Sequence, residues 1–229
     1  MNRHVNAISG RLSLRPPQRT SLEILHRITE IAPPAKDSDS AALLAAIQSE
    51  FPQVADFERE FPSLCFALAT GVGKTRLMGA FVAYLHLAHG IDNFFVLAPN
   101  LTIYNKLIAD FTPNTPKYVF KGIAEFASEP PTIITGDTYE SGLGIRTGWL
   151  PGMHGGVHIN IFNISKINSE VRGGKAPRIK RLSEYIGESY FDYLAALPDL
   201  VLLMDESHRY RASAGVRAIN DSNPSWVWN

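Results

Sequence analysis

Apolar residues fall into two kinds of run along this chain, and the two kinds alternate. Short unbroken runs, the signature of buried strands, occur at Ser63–Leu68, Phe94–Leu97, Thr132–Thr135, Val157–Phe162 and Leu200–Met204. Between them apolar positions recur at helical spacing. Thr75–His89 carries Leu77, Met78, Phe81, Val82, Leu85 and Leu87, and Arg19–Ile31 carries Leu22, Ile24, Leu25 and Ile28. Ala41–Glu50 is predicted as a helix with Ser40 or Asp39 as its N-cap, and Leu101–Phe111 and Tyr190–Leu197 as two more. Residues 1–17 read as loose, with Pro16 and Pro17 closing them, and Ala32–Ser40 reads as a Pro/Ser/Asp linker. Tyr139–Gly156 holds six glycines and reads as turns or a hairpin. Strands alternating with helices predict an α/β fold built on a parallel sheet.

The first candidate chemistry sits between a predicted strand and a predicted helix. Leu68-Ala69-Thr70-Gly71-Val72-Gly73-Lys74-Thr75 reads as a phosphate-binding loop. Gly71 and Gly73 let the backbone turn tightly, so that the N–H groups of Ala69–Thr75 face one point. Lys74 supplies a charge for the β- and γ-phosphates of ATP, and the Thr75 hydroxyl a ligand for Mg²⁺. The following helix points its N-terminus at the same place. Leu68 departs from the strict pattern, which has Gly or Ala there. A glycine-rich turn before an ordinary helix is the competing reading, and the Gly73-Lys74-Thr75 run in its strand–helix context outweighs it.

The second candidate is the apolar run Leu200–Met204, which ends in Asp205-Glu206-Ser207-His208. Acids at the C-terminal end of a parallel strand stand where open α/β sheets bind ligands. Asp205 is placed to hold Mg²⁺ through its water shell, Glu206 to polarise an attacking water, and His208 to couple nucleotide state to neighbouring loops. Strands ending in solvated acids are common. The pairing with the glycine loop gives this one its weight.

Leu68–Thr75 followed by Asp205–His208 resembles motifs I and II of superfamily 2 helicases and translocases, with Ser207 in a variant of the DEAH box. Phe95–Asn100 resembles motif Ia. Leu14-Arg15-Pro16-Pro17-Gln18 resembles, more weakly, the element whose glutamine, here Gln18, reads adenine. Asp205–Ala212 is most like the Res subunit of type III restriction enzymes. The resemblance implies a RecA-like P-loop NTPase domain over 41–229 with an N-terminal helical extension and linker over 1–40. It implies ATP and Mg²⁺ as cofactors, double-stranded DNA as partner, and a methyltransferase subunit in the parent complex. Motif III and the second RecA-like domain are not found in the chain, so the domain is expected to be incomplete. The motif III strand belongs between the strand at Ser63 and the strand at Leu200. The expectation is therefore a gap there, a partial fill by Trp226–Trp228, or direct pairing of the two flanking strands.

Composition adjusts this picture in three places. The formal net charge is zero over 229 residues, which argues against a bulk electrostatic grip on nucleic acid but not a local one. The densest basic stretch is Lys166–Arg181, with Arg178, Lys180 and Arg181 at its end; it reads equally as a phosphate-binding loop and as a solvated one. Asn100, Thr102 and Lys106 read equally as phosphate contacts and as a capped helix with an exposed lysine, while Tyr104 reads as packing before base stacking. Cys65, alone of its kind and set in an apolar run, reads as a core thiol and fits a reducing cytoplasm. No signal segment or membrane span is recognised, so a cytoplasmic protein is expected. Two other functions stay open: a P-loop ATPase that does not act on nucleic acid, and a catalytically inactive nucleotide- or DNA-binding fragment. Residues 1–229 purified alone are expected to melt poorly and to release negligible phosphate from ATP, with or without DNA. A cooperative melt together with DNA-stimulated hydrolysis would reverse that expectation.

Overall fold

In the computed structural model, the residues described are 2–36, 38–57, 61–141, 156–164, 190–205, 224 and 226–228. Three helices come first: α1 (Arg3–Arg11), α2 (Pro16–Ile31) and α3 (Ser40–Glu50). The chain then runs through β1 (Ser63–Leu64), α4 (Lys74–His89), β2 (Asn93–Ala98), α5 (Leu101–Phe111), α6 (Ala124–Ser128) and β3 (Thr132–Thr135). It ends with β4 (His158–Asn163), α7 (Tyr190–Ala196), β5 (Leu200–Met204) and β6 (Trp226–Trp228). The strands form one parallel sheet in the order β1-β6-β5-β2-β4-β3.

The strand pleat sorts the core into two layers. Phe94, Val96 and Ala98 of β2 face the same side as Ile159, Ile161, Val201 and Leu203, and join the buried residues of α1, α2, α4 and α5. Phe95 and Leu97 face the other side with Phe162, Leu200, Leu202 and Met204, against Tyr190 and Leu194 of α7. All six residues of β2 and all five of β5 are buried, as strands covered on both faces require. Two buried polar groups lock the second layer: Tyr190 Oη donates to Asn160 Oδ1 (2.5 Å), and Asn160 Nδ2 donates to the Phe94 carbonyl (3.2 Å). At the N-terminal end of the sheet the Asp199 carboxylate accepts from the Asp92 N–H (2.8 Å) and from Asn93 Nδ2 (2.6 Å).

Four expectations are corrected. Residues 1–17 are not loose. Asn2 caps α1 by accepting from the His4 N–H (2.7 Å), and Val5, Ile8 and Leu12 are buried in the first layer. These three are spaced i, i+3, i+7, one helical face. Helix α2 starts at Pro16 rather than Arg19, because proline suits the first helical position. Cys65 is exposed rather than in the core. The strand before the glycine loop is two residues long, and among the described residues β1 pairs with β6 through Ser63↔Val227 and Leu64↔Trp228. Trp226–Trp228 lies between β1 and β5, pairing in parallel with both, so among the three alternatives the tail fills that place. Of the glycine-rich stretch, Tyr139–Ser141 forms a 3₁₀ turn, and 142–155 lie outside the described residues.

The linker is held too: the Lys36 ammonium donates to the Ala195 and Leu197 carbonyls at the end of α7. Helices α1 and α2 share the first layer with α4, and a histidine cluster joins α2 to α4. The Tyr84 hydroxyl shares hydrogen bonds with His26 Nδ1 (2.8 Å), Thr29 Oγ1 (3.3 Å) and His89 Nε2 (3.4 Å). Glu30 lies 3.6 Å from His26. Burial first, and the proximity of His26 and His4 second, hold the His89 pKa below its ordinary 6.5, although Glu30 opposes them. A histidine depressed in the folded state binds its proton more readily when unfolded, so its contribution is present above 6.5 and lost as pH falls through the folded value. The melting temperature is therefore expected to fall as pH drops from 7.5 toward 5, and His89→Gln to flatten that slope. An unchanged slope in the variant would place the dependence elsewhere.

Candidate nucleotide site

The glycine loop leads into α4 through two left-handed residues, Gly71 (φ 82°) and Gly73 (φ 95°). Gly73 is the N-cap of α4 and no side chain caps the helix, whereas Asn2, Asp39 and Asn100 cap α1, α3 and α5. A helix start without a side-chain cap keeps N–H groups for a ligand. The loop is held from the α2 side. Gln18, 1% exposed, accepts from the Arg15 N–H through Oε1 (2.8 Å) and donates through Nε2 to the Gly73 carbonyl (2.8 Å). The Arg15 guanidinium donates to the Gly71 carbonyl (3.2 Å). A Cβ on residue 73 would stand 2.8 Å from Gln18 Nε2, so both φ and space require glycine there.

Lys74 and Thr75 open α4, and Asp205 follows β5, its N–H donating to the Leu97 carbonyl (3.4 Å). Strand β6 lies between β5 and β1 and pairs in parallel with both, so the loop and Asp205 stand at the same, C-terminal end of the strands. Glu206 and His208 lie outside the described residues, as do Lys166, Arg178, Lys180 and Arg181. Ala69, Thr70 and Val72 complete the turn, with the Val72 N–H donating to the Ala69 carbonyl (3.4 Å).

The three polar residues of α5 part company. Asn100 Oδ1 accepts from the Ile103 N–H (2.9 Å) and so caps the helix, and Thr102 is exposed beside it. Lys106 turns to the glycine loop. Its ammonium donates to Thr75 Oγ1 (2.6 Å) and to Asp110 Oδ2 (2.9 Å). Tyr104 is packing, 2% exposed, its hydroxyl accepting from the Gly136 N–H (3.2 Å).

Around the loop opens a cleft of about 710 Å³. Its far wall, formed by residues 116–122, was not anticipated from the sequence, and neither was the contact of Arg15 with the loop. Among the described residues, Arg11, Arg15, Arg76, Lys106, Lys117 and Lys121 line it against one carboxylate, Asp110. That imbalance selects an anion, in a chain of zero net charge. Tyr118 joins the same wall; burial pushes its phenol up to about 12, so it stays neutral. A triphosphate suits this donor set: a helix start without a side-chain cap, a lysine, a threonine hydroxyl and a cationic rim.

A parallel α/β sheet with a glycine loop feeding the helix of its edge strand, and an acid ending a nearby central strand, defines a RecA-like ATP-binding domain of the superfamily 2 helicase kind. The family described as "Type III restriction enzyme, res subunit" matches residues 11–228, and the chain belongs to it. No curated protein matches the chain. Among the described residues no helix is long and apolar enough to cross a membrane.

Because Gln18 holds two backbones with two different atoms, its variants are expected to separate. Gln18→Ala leaves the Gly73 carbonyl and the Arg15 N–H without it and should cost about 1–3 kcal/mol in urea unfolding. Gln18→Glu keeps an acceptor for Arg15 but loses the donor to Gly73, so hydrogen exchange should rise in residues 73–75 more than at the start of α2. Equal exchange in both segments would contradict the assignment.

Proposed function

We propose that this domain binds and hydrolyses ATP to drive movement along double-stranded DNA, as the motor of a type III restriction enzyme working beside a methyltransferase subunit. The observation that carries the reading is the cationic cleft built around the glycine loop, at the C-terminal end of the strands where Asp205 also stands. Lys74 faces the β- and γ-phosphates and the loop N–H groups of 69–75 enclose them. Mg²⁺, when bound with ATP, neutralises phosphate charge. Thr75 gives it a hydroxyl and Asp205 holds its water shell. Glu206 takes the proton of the attacking water and His208 passes the state of the site to neighbouring loops. Gln18 lies against the loop with one amide hydrogen and one lone pair beyond those its two bonds use, which supports a role at the base end of the nucleotide. Family membership supports DNA as the partner. Asn100 and Thr102, at the start of α5, and Lys166, Arg178, Lys180 and Arg181 are the residues we assign to the DNA backbone.

Lys74→Ala should weaken ATP binding by about 2–3 kcal/mol in calorimetry, the range of a charge-assisted hydrogen bond. Glu206→Gln in the full-length parent should keep ATP affinity and lose roughly 10²–10⁴ in turnover. Binding of duplex DNA should weaken steeply with salt and little with sequence. Unchanged ATP affinity in Lys74→Ala would refute the nucleotide site, and turnover insensitive to DNA in the parent would favour an ATPase that does not act on nucleic acid.

A further inference from the structure

The Lys106 ammonium stands where its charge has a specific consequence. It donates to Thr75 Oγ1 at 2.6 Å and is anchored at 2.9 Å by Asp110, four residues on in the same helix. Asp110 is 7% exposed, so its carboxylate is buried behind the lysine while Lys106 itself reaches out into the cleft. No other acid lines that cleft among the described residues. A hydroxyl that accepts a hydrogen bond from an ammonium has a cation at hydrogen-bond distance already. A divalent metal that takes the same oxygen must displace it, because two cations at one hydroxyl repel and crowd each other.

We propose that Lys106, anchored by Asp110, is a resident cation that occupies the metal side of Thr75 in the nucleotide-free domain and is displaced when metal and nucleotide arrive. This rests on the reading of Thr75 as a Mg²⁺ ligand. The pair sets how much Mg²⁺ the site demands, and it gives α5 a direct contact with the loop that exists in one state and not in the other. Strand β2 joins α5 through Pro99 and Asn100 to the centre of the sheet, so a change at Lys106 reaches the helix whose first turn bears Asn100 and Thr102. Lys106 is a positioning residue of the nucleotide site in this account, not a contact to DNA phosphates.

The test uses the 229-residue chain and titrates ATP binding at a series of Mg²⁺ concentrations. Lys106→Met should lower the Mg²⁺ concentration for half-maximal binding by roughly tenfold, the scale of one lost charge-assisted contact. Lys106→Arg, which keeps the charge, should stay close to the wild type. In the absence of nucleotide, amide hydrogen exchange in residues 71–75 should rise in Lys106→Met, since the loop loses its tether. An unchanged Mg²⁺ demand in Lys106→Met overturns the proposal. So does a return to wild-type demand in Lys106→Met combined with Asp110→Asn, because the freed carboxylate and not the lost cation would then have caused the effect. Thr75→Ala separates the two levels. If it removes the Mg²⁺ dependence while Lys106→Met does nothing, the metal reading stands and the displaced cation falls. If Thr75→Ala leaves the dependence intact, the metal reading fails and takes the proposal with it.

Discussion

Gln18 ties two stretches of backbone that have no ladder between them. One end of its carboxamide fixes the start of α2 through the Arg15 N–H, and the other fixes the left-handed turn at Gly73. A buried amide with both bonds made is rigid, and one with either bond missing is costly. The geometry of the glycine loop is thus conditional on where α2 sits. That position depends in turn on Leu22, Leu25 and Ile28 packing into the layer that α4 shares, and on the α1 face of Val5, Ile8 and Leu12 beside it. The N-terminal helices are part of the apparatus that shapes the loop, although they precede it by some fifty residues in the chain.

The sheet supplies the other fixed reference. Strands β2 and β5 are buried on both faces, and their registers Phe94↔Val201 and Leu97↔Met204 set the height at which β5 gives way to Asp205. Strand β6 then sets the lateral distance from Asp205 to the loop. With Trp226–Trp228 paired to both β1 and β5, one strand stands between them, and β1 gains its ladder from that strand.

Much of this was legible along the chain because unbroken apolar runs and helical spacing respond to burial directly. The bounds of β3, β5 and α5 are those of Thr132–Thr135, Leu200–Met204 and Leu101–Phe111, where local pattern and tertiary burial agree. The misses have separate physical causes. Helix α1 carries its own cap and apolar face, so its signal was present but outweighed by the prolines that follow. The apolar run to Leu68 predicts a strand longer than β1, which ends at Leu64. Arg15 reaches Gly71 across 56 residues of sequence, and the wall near Val119 is set against α4 and α5 by contacts with Gly79 and Asp110 that no local apolar pattern reports. Proximity in sequence groups Lys106 with Asn100 and Thr102, whereas its hydrogen bonds run to Thr75 and Asp110. Its spacing to Asp110, i to i+4, was the available sign that its ammonium has an acid partner on its own helix.

The electrostatics make the same point about local and global quantities. Twenty-two cationic residues and twenty-two acidic ones cancel over the chain, and from that sum alone an anionic ligand is no more expected than a cationic one. What decides is where the fold leaves the charges. Several acids are drawn to the outer faces of the helices: Glu23 pairs with Arg19, Glu30 and Glu50 with Arg27, and Glu125 with Arg11 at its rim. Asp92 and Asp199 are committed at the opposite end of the sheet. Among the described residues the cleft is left with one carboxylate, itself covered by Lys106, and with a helix start that no side chain caps. Exposed pairs of this kind contribute little to stability. Their effect here is distributive: each acid paired elsewhere is one fewer beside the loop, and the field at the head of α4 is the remainder.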